Sequence, residues 1–89
     1  MDLEQAEREA HEQYINHIMA CKGCYAPTKR YCFYGLRFHV DYLAHYLMGR
    51  DLHTRRVHLA QIEATDSVTC DDLKARMIEI HEQMKGEEA

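Results

Sequence analysis

The chain has 89 residues, 46% of them hydrophobic, and a formal net charge of −4. That length gives one domain, 1–89, with a modest core, near the size at which a metal, a disulfide or a second subunit assists folding. No apolar run approaches the ~18 residues that span a bilayer, and the acidic start (Asp2, Glu4, Glu7, Glu9) lacks the basic and apolar regions of a secretory leader. The expectation is a soluble chain of the cytoplasm with no membrane partner, where closely spaced cysteines hold metal more often than they form disulfides.

The first predicted helix covers about 2–22. Leu3, Ala6, Ala10, Tyr14, Ile18 and Cys21 recur at spacings of three and four, which makes one apolar face, and the early carboxylates suit the positive end of the helix dipole. Cys21-Lys22-Gly23-Cys24 then closes this helix, and Cys32 follows eight residues on. A C-x2-C pair in a tight turn supplies two ligands of a tetrahedral zinc site, and Cys32, where the chain turns back into a second helix, is a natural third. The fourth is His17, one helical turn before Cys21 on the same face. Cys70 is the competing fourth ligand, distant in sequence but able to complete an all-cysteine set. His39 lies two turns further along helix two, about 10 Å up its axis, too far to serve. Thiolates at the negative end of a helix are disfavoured unless a cation sits among them, so the motif reads as a zinc clasp rather than a redox pair. Ordinary buried cysteines are the plain alternative.

The second helix, about 29–48, carries two apolar stripes. Cys32, Leu36, Val40, Leu43 and Leu47 form one; Tyr31, Tyr34, Phe38, Tyr42 and Tyr46 form the other, leaving a narrow polar strip of Arg30, Arg37, Asp41 and His45. A helix apolar over so much of its circumference is central, packed on more than one side; alternatively the tyrosine stripe faces another chain, a homodimer included. A third helix, about 52–64, has a weak apolar face. A fourth, about 70–85, opens with Thr69-x-x-Asp72 in the manner of a capping box and stops at Lys85-Gly86. Gly35 reads as a glycine tolerated inside a helix. No segment alternates as a strand does, so the fold class is all-α, a compact bundle of about four helices with the cysteine-rich loop between the first two.

Charge is unevenly spread. Residues 1–21 hold one basic and five acidic side chains, residues 22–58 seven and two, and residues 59–89 three and eight. A basic middle can mark a binding face, and it can equally be neutralised by its own flanks. Catalysis finds little support: H-E-x-x-H fails at Ile15 after His11-Glu12 and at Lys85 after His81-Glu82, and a closed four-ligand zinc site has no open position for hydrolysis. Two roles remain. A non-catalytic adaptor or inhibitor would bind a partner protein or protein complex through Tyr34, Phe38, Tyr42, Tyr46, Arg50, Arg55 and Arg56. A nucleic-acid-binding regulator is supported by Lys22, Lys29, Arg30, Arg37, Arg50, Arg55 and Arg56 and would use the basic 50–58 region, against which the acidic overall charge counts.

The run Tyr31-Cys32, then Tyr42-Leu43-Ala44-His45-Tyr46-Leu47, then Arg55-Arg56-Val57-His58-Leu59-Ala60-Gln61-Ile62-Glu63, then Leu73-Lys74-Ala75-Arg76-Met77 resembles a group of short helical proteins encoded by phages and prophages. The likeness covers about 31–80 as R-R-x-x-L-x-x-I-E followed by L-K-x-R-M; the C-x2-C pair and the acidic first helix lie outside it. It implies a phage-type accessory protein in the host cytoplasm that modulates a host macromolecular complex, and it carries over no catalytic residue.

Overall fold

The computed structural model describes residues 2–88, with side chains as far as Gly86. Among the described residues four helices follow one another, α1 (Leu3–Ala20), α2 (Phe33–Met48), α3 (Leu52–Thr65) and α4 (Ser67–Glu88), and a 3-10 turn, Ala26–Thr28, lies between α1 and α2. No strand occurs among the described residues; an isolated antiparallel bridge joins Tyr25 to Arg30. This is the all-α arrangement that the periodicities predict, with several ends moved by local chemistry.

α1 opens at Asp2, whose carboxylate accepts the N–H groups of Glu4 and Gln5 at 3.1 and 3.3 Å, the usual remedy for orphan donors at a helix start. It stops at Ala20, two residues before the predicted end, because Cys21 is extended and its N–H closes on the His17 carbonyl at 2.8 Å. α2 starts at Phe33, four residues later than predicted. Lys29 is in the left-handed region (φ 56°) and Arg30 belongs to the bridge, so neither can open a helix. Cys32 is therefore the N-cap rather than a member of the first turn, its sulfur accepting the Gly35 N–H at 3.3 Å.

Asp51 caps α3 through the Thr54 N–H at 2.8 Å. α4 begins at Ser67, three residues ahead of the predicted start. The residue that accepts is Asp66, from the Thr69 N–H at 3.2 Å and the Thr69 hydroxyl at 2.6 Å; Thr69 is thus the donor to a cap, not the cap. At the other end α4 continues through Gly86 to Glu88, so that glycine does not terminate it.

α2 is the central element. Val40, Ala44, Leu47 and Met48 pack against Leu73 and Ile80 of α4, and Leu47, Leu73 and Ile80 are fully buried. Burial of aliphatic side chains of this size is worth roughly 1.5–3 kcal/mol each, which makes this cluster the main source of stability on the α2–α4 side. α3 lies mainly along α4 and touches α2 little. Arg55 of α3 closes α2 instead, its guanidinium donating to the carbonyls of Leu47 at 2.8 Å and Met48 at 3.0 Å. These are among the last carbonyls of α2, which have no partner within the helix.

The polar strip predicted for α2 turns inward at its far half. His45 is buried with Nδ1 2.8 Å from the Asp41 carbonyl, and the Asp41 carboxylate receives Arg76 Nε of α4 at 2.7 Å. A charge-assisted bond of that length joins the two helices beside the aliphatic core.

α1 is attached differently. Only Ala10 and Tyr14 of this helix are buried, and the contact with α2 is a seam of rings. Tyr42 stacks on Tyr14 with centroids 6.1 Å apart, His11 lies 4.9 Å from Tyr42, and the Tyr14 and Tyr31 hydroxyls share a hydrogen bond of 2.9 Å. Arg50 joins Glu7 at 3.3 Å at one end of the seam. The cysteine loop lies at the other.

Candidate metal centre

The loop between α1 and α2 returns the chain in twelve residues. The Cys24 N–H reaches the Cys21 carbonyl at 3.3 Å, and Tyr25 and Arg30 exchange two backbone hydrogen bonds of 2.7 and 3.1 Å around the 3-10 turn. Lys29, with its positive φ, makes the corner. The outcome is that Cys24 and Cys32, eight residues apart, lie side by side: the Cys32 N–H donates to Cys24 Sγ at 3.3 Å.

His17, Cys21, Cys24 and Cys32 converge there, with one donor atom from each and all four within 4.8 Å of one another. All four cysteines of the chain are free thiols. A tetrahedral ion with sulfur arms of 2.3 Å requires sulfur–sulfur edges of about 3.8 Å. Cys21 Sγ and Cys32 Sγ are 3.8 Å apart. His17 Nε2 is 3.1 Å from Cys32 Sγ, a hydrogen bond that a metal would replace, opening that edge to about 3.6 Å. The set could hold a metal ion with side-chain movements of about 1 Å.

Electrostatics within the cluster is graded. Cys32 is pulled down to about 6, first by the Gly35 N–H at the positive end of α2 and then by His17. The Cys32 N–H lowers Cys24 as well, but burial and the adjoining thiols of Cys32 and Cys21 outweigh it and push Cys24 upward. One sulfur, that of Cys32, is thus ready to ionise, while the Cys24 thiol beside it resists a second negative charge. A divalent cation removes that resistance.

Gly35 is the residue of this site with no donor of its own. A Cβ there would stand 2.6 Å from Cys24 Sγ and 3.3 Å from the His17 ring, so the first turn of α2 is the wall against which the sulfur and the imidazole rest. In sequence its signal is only position, a glycine three residues after the third cysteine. Phe38 supports the imidazole, its ring 5.3 Å from that of His17.

Cys70, the competing fourth ligand, is outside the cluster. It is fully buried between α3 and α4, and its thiol donates to the Leu59 carbonyl at 3.5 Å. His39 is also apart from the donors. It stacks on Tyr31 at 4.9 Å, its buried Nδ1 has no hydrogen-bond partner among the described residues, and burial with Lys29 nearby favours its neutral form.

The residues expected to meet a partner are dispersed. Phe38, Tyr42 and Tyr46 are half-buried in the ring seam, whereas Tyr34 is 65% exposed. Arg50 lies over the Tyr46 ring at 4.5 Å and pairs with Glu7, Arg55 is committed to the end of α2, and Arg56 is exposed. No family model, curated protein or solved structure matches the chain.

Proposed function

We propose that His17, Cys21, Cys24 and Cys32 bind one zinc ion as a structural staple between α1 and α2, and that the stapled bundle is a non-catalytic accessory module binding a larger host complex. The observation that carries the staple is the convergence of three thiols and one imidazole within 4.8 Å. Three sulfurs and a nitrogen brought this close together suit zinc, and four protein ligands would leave no coordination position for a substrate. A two-iron cluster divides its ligands between two metals, which fits a set this tight less well.

The accessory role is supported by the likeness of 31–80 to short phage-encoded helical proteins, which also gives the host cytoplasm as its place of action. Arg50 and Arg55 are engaged within the fold, so the 50–58 segment offers little free positive charge for nucleic acid. The test is metal analysis by atomic emission of protein purified without chelator. One zinc per chain, falling to a small fraction on His17→Ala with Cys32→Ala, is the expected result; zinc-free protein with a full helical spectrum contradicts the staple.

A further inference from the structure

Apart from Arg56 of α3 and Lys85 of α4, both exposed, the lysines and arginines of this chain fall into two groups. Arg8, Arg50, Lys74 and Arg76 each have a carboxylate partner, and Arg55 is held by carbonyls. Lys22, Lys29, Arg30 and Arg37 are all exposed and make no ion pair among the described residues. These four come from the clasp loop and the first turns of α2. No Asp or Glu occurs between Glu12 and Asp41; Asp41, Asp72 and Glu79 share a groove with Phe33 and Arg37 and border the patch, Asp41 and Glu79 being paired with Arg76.

Exposed rings stand among these cations. Tyr25 is 60% exposed, Phe33 68% and Tyr34 65%. Phe33 and Tyr34 meet edge to face at 5.4 Å, and Arg37 lies over the Phe33 ring at 5.6 Å. Exposed aromatic faces beside cations without ion pairs are what single-stranded nucleic acid requires, since any base can stack and any phosphate can pair. A zinc with three thiolates and a neutral imidazole would add a charge of about −1, which leaves the four cations in excess.

We propose that the clasp-end face binds single-stranded nucleic acid, with bases stacking on Tyr25, Phe33 and Tyr34 and phosphates meeting Lys22, Lys29, Arg30 and Arg37. An acidic peptide would satisfy the cations but leave the ring faces unused. The proposal rests on the zinc reading, because the clasp fixes the loop that carries half of the face.

The test is fluorescence anisotropy of labelled thymidylate and uridylate strands of ~12 nucleotides, titrated with full-length protein of verified zinc content over about 50 to 200 mM salt. Binding is expected, with a log–log salt slope near −2.8 for four phosphate contacts at about 0.7 each. Lys29→Glu with Arg30→Glu weakens it at least tenfold. Phe33→Ala with Tyr34→Ala weakens it at least about fivefold, while Tyr34→Phe, which keeps the ring, restores affinity to within twofold of the parent and Lys85→Ala on α4 leaves it there. Absence of binding at the lowest salt with zinc in place overturns this proposal and leaves the staple standing, whereas absent zinc overturns the staple. Equal affinity for a duplex, or for polyglutamate of matched charge, also overturns it.

Discussion

The two sides of α2 are held by different physics. Toward α4 it buries Val40, Ala44, Leu47 and Met48 against Leu73 and Ile80, a contact with no directional requirement that tolerates small shifts. Toward α1 there are few aliphatic groups. Tyr14, Tyr31, Tyr42 and His39 form a ring seam, and at its end His17, Cys21, Cys24 and Cys32 face one another. The aliphatic side folds chiefly by burial, with the Asp41–Arg76 bond beside it; the ring side ends in four donors that could hold a cation. A chain this short thus sets a small aliphatic core beside a small cluster of candidate ligands.

Removing the metal breaks the comparison most severely. Chelation of the zinc-loaded protein should lower Tm by about 10 °C or more. Hydrogen exchange should rise in α1 and the 21–32 loop while the centre of α2 and α4 keeps its protection. Uniform exchange throughout the chain would show that the two sides are not separate units.

Leu73→Ala attacks the other side. Leu73 has no exposure, and truncation of such a leucine costs about 2–5 kcal/mol. Chemical denaturation should show this loss while the protein retains one zinc per chain. A matching fall in zinc content would tie the site to the core.

Gly35→Ala is a finer probe. The new methyl group meets Cys24 Sγ at 2.6 Å, and overpacking of this kind costs about 1–3 kcal/mol. Because the obstruction lies within the ligand set, competition with a chromogenic chelator should show zinc affinity reduced about tenfold or more. Unchanged affinity would mean that Gly35 is only a passive helical residue.

The smallest effect belongs to His39. Burial and Lys29 hold its folded-state pKa below the ordinary 6.5, so the unfolded chain takes up the proton first. Its contribution is complete above pH 6.5 and declines as pH falls below that value. His39→Phe, keeping the ring against Tyr31 and Tyr14, should lessen the loss of Tm between pH 7 and about 5.5 relative to the parent at equal zinc content. An identical loss in both proteins would contradict the assignment.

Much of this division was legible in the sequence. The two stripes of α2 gave its central place, and the C-x2-C turn with Cys32 and a histidine one turn earlier gave all four donors that converge. What the sequence withheld depended on neighbours in space. Cys32 begins α2 as a cap because Tyr25 and Arg30 pair first, and Asp66 precedes Thr69 as the cap of α4 because it reaches both the N–H and the hydroxyl. Gly35 gains its role only when Cys24 is placed beside it. Arg55 appears as a free cation until the end of α2 is seen beneath it.

The most direct test of the central claim is X-ray absorption at the zinc edge of the purified protein. Three sulfurs at about 2.3 Å and one imidazole nitrogen at about 2.0 Å are expected around the zinc, with the nitrogen lost in His17→Ala. A shell of four sulfurs, or of oxygen and nitrogen alone, would contradict it.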